Sequence, residues 1–155
     1  MIAPDDPCRD DVRALLDAHL ALMRRVSPPG HVHALDVDGL VGPEITFLSA
    51  RADDGALLGV GALKQLEDGH AEIKSMHTAA DARGAGIGRR LLGALLDIAR
   101  ARGCTRVSLE TGTQDAFAPA RALYTSVGFR TCPPFGDYTA NPHSTCMTLE
   151  LATPE

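Results

Sequence analysis

At 155 residues the chain fits one domain on the usual scale of roughly 100–200 residues each, and its 45% apolar content is enough for a real core. With 23% charged residues and a mean hydropathy of −0.03, it reads as neither a disordered tail nor a membrane protein. The net charge of −5, from 20 acids against 15 bases, excludes a surface wholly given to nucleic acid, because that binding relies on Lys and Arg neutralising phosphates.

Cys8, Cys104, Cys132 and Cys146 are widely spaced and form no Cys-x-x-Cys pair, the usage of reduced thiols inside a cell. Met1 to Asp11 carries four aspartates and no apolar run, so no secretory or transit segment is expected. The longest apolar stretch, Ala56 to Leu63, is far short of the ~20 residues a membrane span requires. The expectation is a cytoplasmic single domain over residues 1–155, with neither nucleic acid nor membrane as partner.

In chain order, Asp10 or Asp11 caps a helix whose apolar residues Val12, Leu15, Leu16, Leu22, Met23 and Val26 have the helical period. Ser27-Pro28-Pro29-Gly30 ends it, since two prolines and a glycine cannot continue the ladder. Residues 31–44 read as a short helix or an ordered loop. Ile45 to Arg51, Ala56 to Leu66 and His70 to Thr78 read as strands, separated by the turns Asp53-Asp54-Gly55 and Glu67-Asp68-Gly69. Turns this tight make an antiparallel meander.

After a Gly- and Ala-rich loop, Ile87, Leu91, Leu92, Leu95 and Ile98 form one face of a helix that ends at Arg100, Arg102 and Gly103. Arg106 to Thr111 is a strand. Pro119 fits the first turn of a helix carrying Leu123, Tyr124 and Val127 and stopping at Gly128. Phe129 to Cys132 and Thr145 to Leu151 close the fold as two strands. The class is α/β (α+β), with a mixed, mostly antiparallel central sheet of about six or seven strands and about four helices.

Arg83-Gly84-Ala85-Gly86-Ile87-Gly88-Arg89 lies between a strand and a strongly amphipathic helix, where backbone N–H groups and the helix dipole converge on an anion. Glycines let the backbone approach such a ligand without a Cβ in the way, and the arginines add charge-assisted bonds to phosphate oxygens. No Gly-x-x-x-x-Gly-Lys-Ser/Thr run is present, and a dinucleotide fingerprint would need glycine where Arg89 stands.

Arg83-Gly84-x-Gly86-x-Gly88 after a strand, followed by Leu123-Tyr124-x-x-x-Gly128-Phe129, resembles the GNAT superfamily of acetyl-CoA-dependent N-acetyltransferases. The two motifs, in order and on matching elements, are far more specific together than either alone, and the order of elements fits from Pro7 to Leu151. Glu72 to Met76, Leu109 to Gly112 and Pro134 to Tyr138 are further similar to a bacterial subgroup of YsnE-like acetyltransferases.

The resemblance implies a GNAT-like fold and acetyl-CoA as co-substrate, its pyrophosphate on Arg83, Gly84, Ala85, Gly86, Ile87, Gly88 and Arg89. It further implies that the pantetheine arm pairs with the backbone of Met76, His77 and Thr78, where an N–H polarises the thioester carbonyl. Tyr124 is expected beside the cofactor sulfur as general acid, because a phenol near pKa ~10 is still protonated at neutral pH. Glu72 is the expected general base, with Glu110 on the next strand as its rival; either carboxylate is otherwise a surface charge paired with Lys74 or Arg106. Many family members carry Asn seven residues before this tyrosine; here the position is Phe117, so that pantetheine contact is replaced or lost.

For the acceptor, His33 and Asp36 before the sheet, Glu110, and Tyr138 in the loop Pro133 to His143 are the expected lining residues. The acceptor is an amine of a small molecule or peptide, attacked directly in a ternary complex, and the protein is a monomer or homodimer. No metal is expected, although His33, Glu72 and His77 define a weaker metal-enzyme alternative. The other alternative is a non-catalytic module that senses acyl-CoA or holds a partner. Residues 79–102 carry five arginines and two aspartates, so the net −5 splits into +3 there and −8 elsewhere.

Overall fold

The computed structural model describes residues 1–26, 38–136, 138–140 and 142–151. Its elements are β1 (Ile2–Pro4), α1 (Asp10–Val26), β2 (Ile45–Arg51), β3 (Leu57–Glu67), β4 (His70–Thr78), α2 (Ile87–Ala101), β5 (Arg106–Gly112), α3 (Ala118–Val127), β6 (Arg130–Cys132) and β7 (Ser144–Glu150). The strands form one sheet in the order β1-β2-β3-β4-β5-β7-β6. Every neighbouring pair is antiparallel except β4 and β5, which run parallel because α2 carries the chain back between them. The expected mixed, mostly antiparallel sheet is the observed one. Among the described residues there are three α-helices rather than about four, the remaining helical pieces being single 3₁₀ turns at Asp38–Leu40, Ala80–Ala82 and Asp115–Phe117.

Alternation along the meander sends apolar side chains to both sheet faces. Leu48, Leu63, Ile73 and Leu109 join the buried face of α2 (Leu91, Leu92, Leu95, Leu96), with Tyr124 of α3 and Phe129 beside them. Phe47, Val60 and Ala62 face the other way, onto Val12 and Leu16 of α1. The sheet is therefore covered on both faces, with β3 and β4 between the two helical layers.

Two irregularities in β4 position the site. Its pairing with β3 slips between Val60↔His77 and Ala62↔Lys74, so Gly61 faces two residues, Ser75 and Met76. This β-bulge is where Ser75 takes φ +56°, the left-handed region that non-glycine residues seldom adopt. The extra residue inverts the alternation: Ile73 and Met76 both pack toward α2, whereas His77 meets α1. The second irregularity is a fork. β4 and β5 are paired only from His70↔Arg106 to Ile73↔Leu109; beyond that, Lys74–Thr78 and Glu110–Gly112 no longer pair with each other.

Candidate active site

The fork opens into a cleft of about 950 Å³ bounded by α1, the outer half of β4, the 80–88 turn, the end of β5 and α3. One wall is the glycine turn. Gly84 and Gly86 sit at φ +83° and +79°, and a Cβ built on either would meet no atom within 4 Å. Gly86 caps α2 without any side-chain bond, so the first helical N–H groups carry no side-chain acceptor at the cap. Gly88 has a different function: its missing Cβ lets α2 approach α3, where Leu123 Cδ2 would lie 3.3 Å away. Arg83, Gly84, Gly86, Ile87, Gly88 and Arg89 all line the cleft, and Ala85 does not.

Met76, His77 and Thr78 line the opposite wall, on the part of β4 that has left β5. The side chain of His77 is committed elsewhere. Its Nδ1 lies 3.1 Å from Nδ1 of His19 on α1, so one ring donates and the other accepts. Burial lowers both imidazoles to about 4, with the partner ring adding to the effect at His19 and the Arg83 charge at His77. At neutral pH the pair is uncharged and ties α1 to β4. His19 escaped the sequence reading; its signal was a polar residue on the apolar stripe of α1, between Leu16 and Leu22.

Tyr124 lies on α3, which ends at Gly128 with φ +115° and a bond from Phe129 N–H back to the Tyr124 carbonyl. Its ring is buried edge-on against Phe129, with centroids 5.8 Å apart, while the residue still lines the cleft. The hydroxyl takes no hydrogen-bond partner among the described residues, and burial pushes the phenol up to about 12. Phe117 is also buried on this wall and packs over the chain at Gly112, where a Cβ would fall 2.3 Å from the ring.

At the far end Glu72 is 4% exposed rather than on the strand surface, so its pairing with Lys74 occurs inside the cleft. Lys74 Nζ donates to Glu72 Oε2 at 3.0 Å, and the Tyr138 hydroxyl donates to the same oxygen at 2.5 Å. The alternative partner, Arg106, points away to Thr148 Oγ1 at 2.9 Å. Glu110 accepts from Ser144 Oγ at 3.2 Å. Burial raises Glu110 to about 7, the Glu72 charge adding to it and the Ser144 bond and Lys74 opposing it. His33 and Asp36 lie outside the described residues. Among the described residues no group of three or more His, Cys, Asp or Glu side chains is arranged to hold a metal, and no helix is long and apolar enough to cross a membrane.

A bulged strand parting from its parallel neighbour, a glycine turn opening a helix at the fork and Tyr124 border one cleft. The model of the acetyltransferase (GNAT) family matches residues 13–129; the chain belongs to that family of acyl-transferring enzymes. It is 46% identical to the uncharacterized N-acetyltransferase YsnE of Bacillus subtilis, over 95% of this chain and 97% of that one. It is 43% identical to the uncharacterized N-acetyltransferase YedL of Escherichia coli, over 97% and 94% of the two chains. A crystal structure from Klebsiella pneumoniae, assigned as an acyl-CoA N-acyltransferase, superposes with a TM-score of 0.80 at 29% identity, covering 98% of this chain and 97% of that one.

Proposed function

We propose that the chain is an acetyl-CoA-dependent N-acetyltransferase that moves the acetyl group directly onto an amine of a small molecule or peptide. The observation that carries this reading is the convergence in one cleft of the glycine turn, the unpaired length of β4, Tyr124 and two carboxylates. The turn offers helix N-terminal N–H groups and Arg83 and Arg89 to the pyrophosphate, and Met76–Thr78 offers a free strand edge to the pantetheine. Met76, His77 and Thr78 supply main-chain donors for the thioester carbonyl, a contact that matters most as negative charge grows on that oxygen.

An alkyl amine must lose a proton before its nitrogen can bond to the acetyl carbon. Glu110 takes that proton in this reading. Glu72, which the sequence favoured as the base, already has two donors on one oxygen. As the carbon–sulfur bond breaks, the departing thiolate takes a proton from the Tyr124 hydroxyl, which burial keeps protonated throughout the neutral range.

Thiol release from acetyl-CoA, measured against a panel of amino acids, polyamines, aminoglycosides and peptides, tests the reaction. Acetyl-CoA binding without acetylation of any amine would replace it with the sensing module. Tyr124→Phe is expected to lower kcat by about 10²-fold while leaving acetyl-CoA affinity within a few-fold. Wild-type turnover in that variant removes the acid function from Tyr124.

A further inference from the structure

Glu72 and Lys74 stand two residues apart on one face of β4, and Tyr138, from the chain between β6 and β7, joins them. Its hydroxyl donates to Glu72 Oε2 at 2.5 Å and accepts from Lys74 Nζ at 2.6 Å, closing a three-membered ring with the 3.0 Å Lys74–Glu72 bond. Lys74 Nζ also lies 5.3 Å from the centre of the Tyr138 ring. The Lys74 and Glu72 side chains are only 8% and 5% exposed.

A buried ion pair is a poor device for stability, since removing two charges from water costs about as much as their attraction returns. Within a ligand cleft it does something else. Both bonds to Glu72 end on Oε2, and Oε1 takes no partner among the described residues. The carboxylate is thus immobilised with one oxygen committed and one available.

We propose that Glu72, held by Tyr138 and Lys74, is the recognition group for an acceptor that enters as a primary alkylammonium, and that Tyr138 is its positioning residue. The proposal rests on the N-acetyltransferase reading above. The ammonium donates one N–H to Glu72 Oε1, and another hydrogen passes as a proton to the Glu110 carboxylate. The freed nitrogen pair then bonds to the acetyl carbon as the carbon–sulfur bond breaks, and the second proton the nitrogen sheds restores the Tyr124 hydroxyl that protonated the thiolate. The two carboxylates have separate tasks because their surroundings differ, one held by two donors on a single oxygen and the other largely desolvated. Glu110 is faced by Glu72 and Lys74 from β4, by Tyr138, and by Ser144 and Cys146 of β7. With Glu110 ionised, two carboxylates against one ammonium leave this end of the cleft negative. That balance favours a cationic amine over one bearing its own carboxylate.

The test compares thiol release with a primary alkylamine and with an arylamine of similar size, which is uncharged at neutral pH. The wild type is expected to favour the alkylamine. Glu72→Gln and Tyr138→Phe are each expected to raise the alkylamine KM about tenfold, the scale of one hydrogen bond to a charged group, with kcat and the acetyl-CoA KM within a few-fold. The pH profile of kcat/KM should keep its rising limb in both variants. A merely structural Tyr138 would move both KM values together. An unchanged alkylamine KM in Glu72→Gln, loss of the limb in that variant, or a wild-type preference for the arylamine overturns the proposal. Wild-type protein that releases no thiol with any amine overturns the activity itself, and this proposal with it; wild-type turnover with an unaffected Glu72→Gln variant overturns this proposal alone.

Discussion

Two carboxylates facing the same lysine would be interchangeable in a formula, but not in a folded chain. Neither Glu110 nor Glu72 differs in type from an ordinary surface acid; what separates them is who donates to each oxygen. Burial holds Glu110 near 7, above its ordinary range, so half its population is ionised close to neutrality. A base works only when ionised, so kcat/KM should rise with pH through about 7 and level off above it. Glu110→Gln should abolish that limb and lower kcat/KM by roughly 10²-fold; a limb that survives in the variant assigns the proton to another group. Both carboxylates were visible in the sequence as candidates. Their division was not, because it depends on Tyr138, 66 residues from Glu72 in the chain.

At the level of elements, β2, β4 and α1 lie where periodicity and turn residues place them, since helix caps and Asp-Gly turns are local signals. β1 was invisible: three residues carry no period, and their pairing with Leu48–Ala50 is a long-range event. The β4 bulge was equally hidden, because strict alternation assigns Ile73 and Met76 to opposite faces and the inserted residue puts both on the same one. The glycine turn, in contrast, was legible as a turn opening a helix, although Ala85 does not line the cleft and Gly88 serves the packing of α2 on α3. Gly86→Val tests it, because valine at φ +79° is strained although a Cβ would have open space around it. Acetyl-CoA binding measured by titration calorimetry should weaken by at least about tenfold while the variant remains folded, since strain of ~1–3 kcal/mol falls on the anion-binding turn. Undiminished affinity would remove the turn from the pyrophosphate site.

For the whole molecule, charge distribution and fold agree. The +3 stretch over residues 79–102 supplies the turn and α2 on one side of the cleft, and the −8 remainder includes Glu72 and Glu110 at its other end. On the proposed function, an anionic co-substrate and a cationic acceptor would meet fields of opposite sign within one opening. The sequence carried this gradient because charge runs along the chain, and the fold class because alternating elements admit few layer arrangements. It named Tyr138 as a lining residue, but not the contacts that build the wall, the His19–His77 pair 58 residues apart and the Lys74–Tyr138 bond 64 residues apart.

The fork between β4 and β5 makes the sheet unfinished in its interior. Most sheets end in open edges at their margins; this one also has an open seam between its fourth and fifth strands, flanked by β3 and β7. Main-chain groups of Lys74–Thr78 on that side rely on water until something extended lies against them. A ligand that pairs there completes the sheet, so its arrival should be visible as amide protection rather than as movement. Hydrogen exchange across Lys74–Thr78 should slow on adding coenzyme A, beyond the general stabilisation of about 2.7 kcal/mol expected at a hundredfold excess over Kd, while amides of β2 slow only by that global amount. Equal slowing in both strands would mean that the seam stays open with the ligand bound. On the proposed function, the seam would make folding and substrate capture parts of one hydrogen-bonding pattern, the second finishing what the first leaves incomplete.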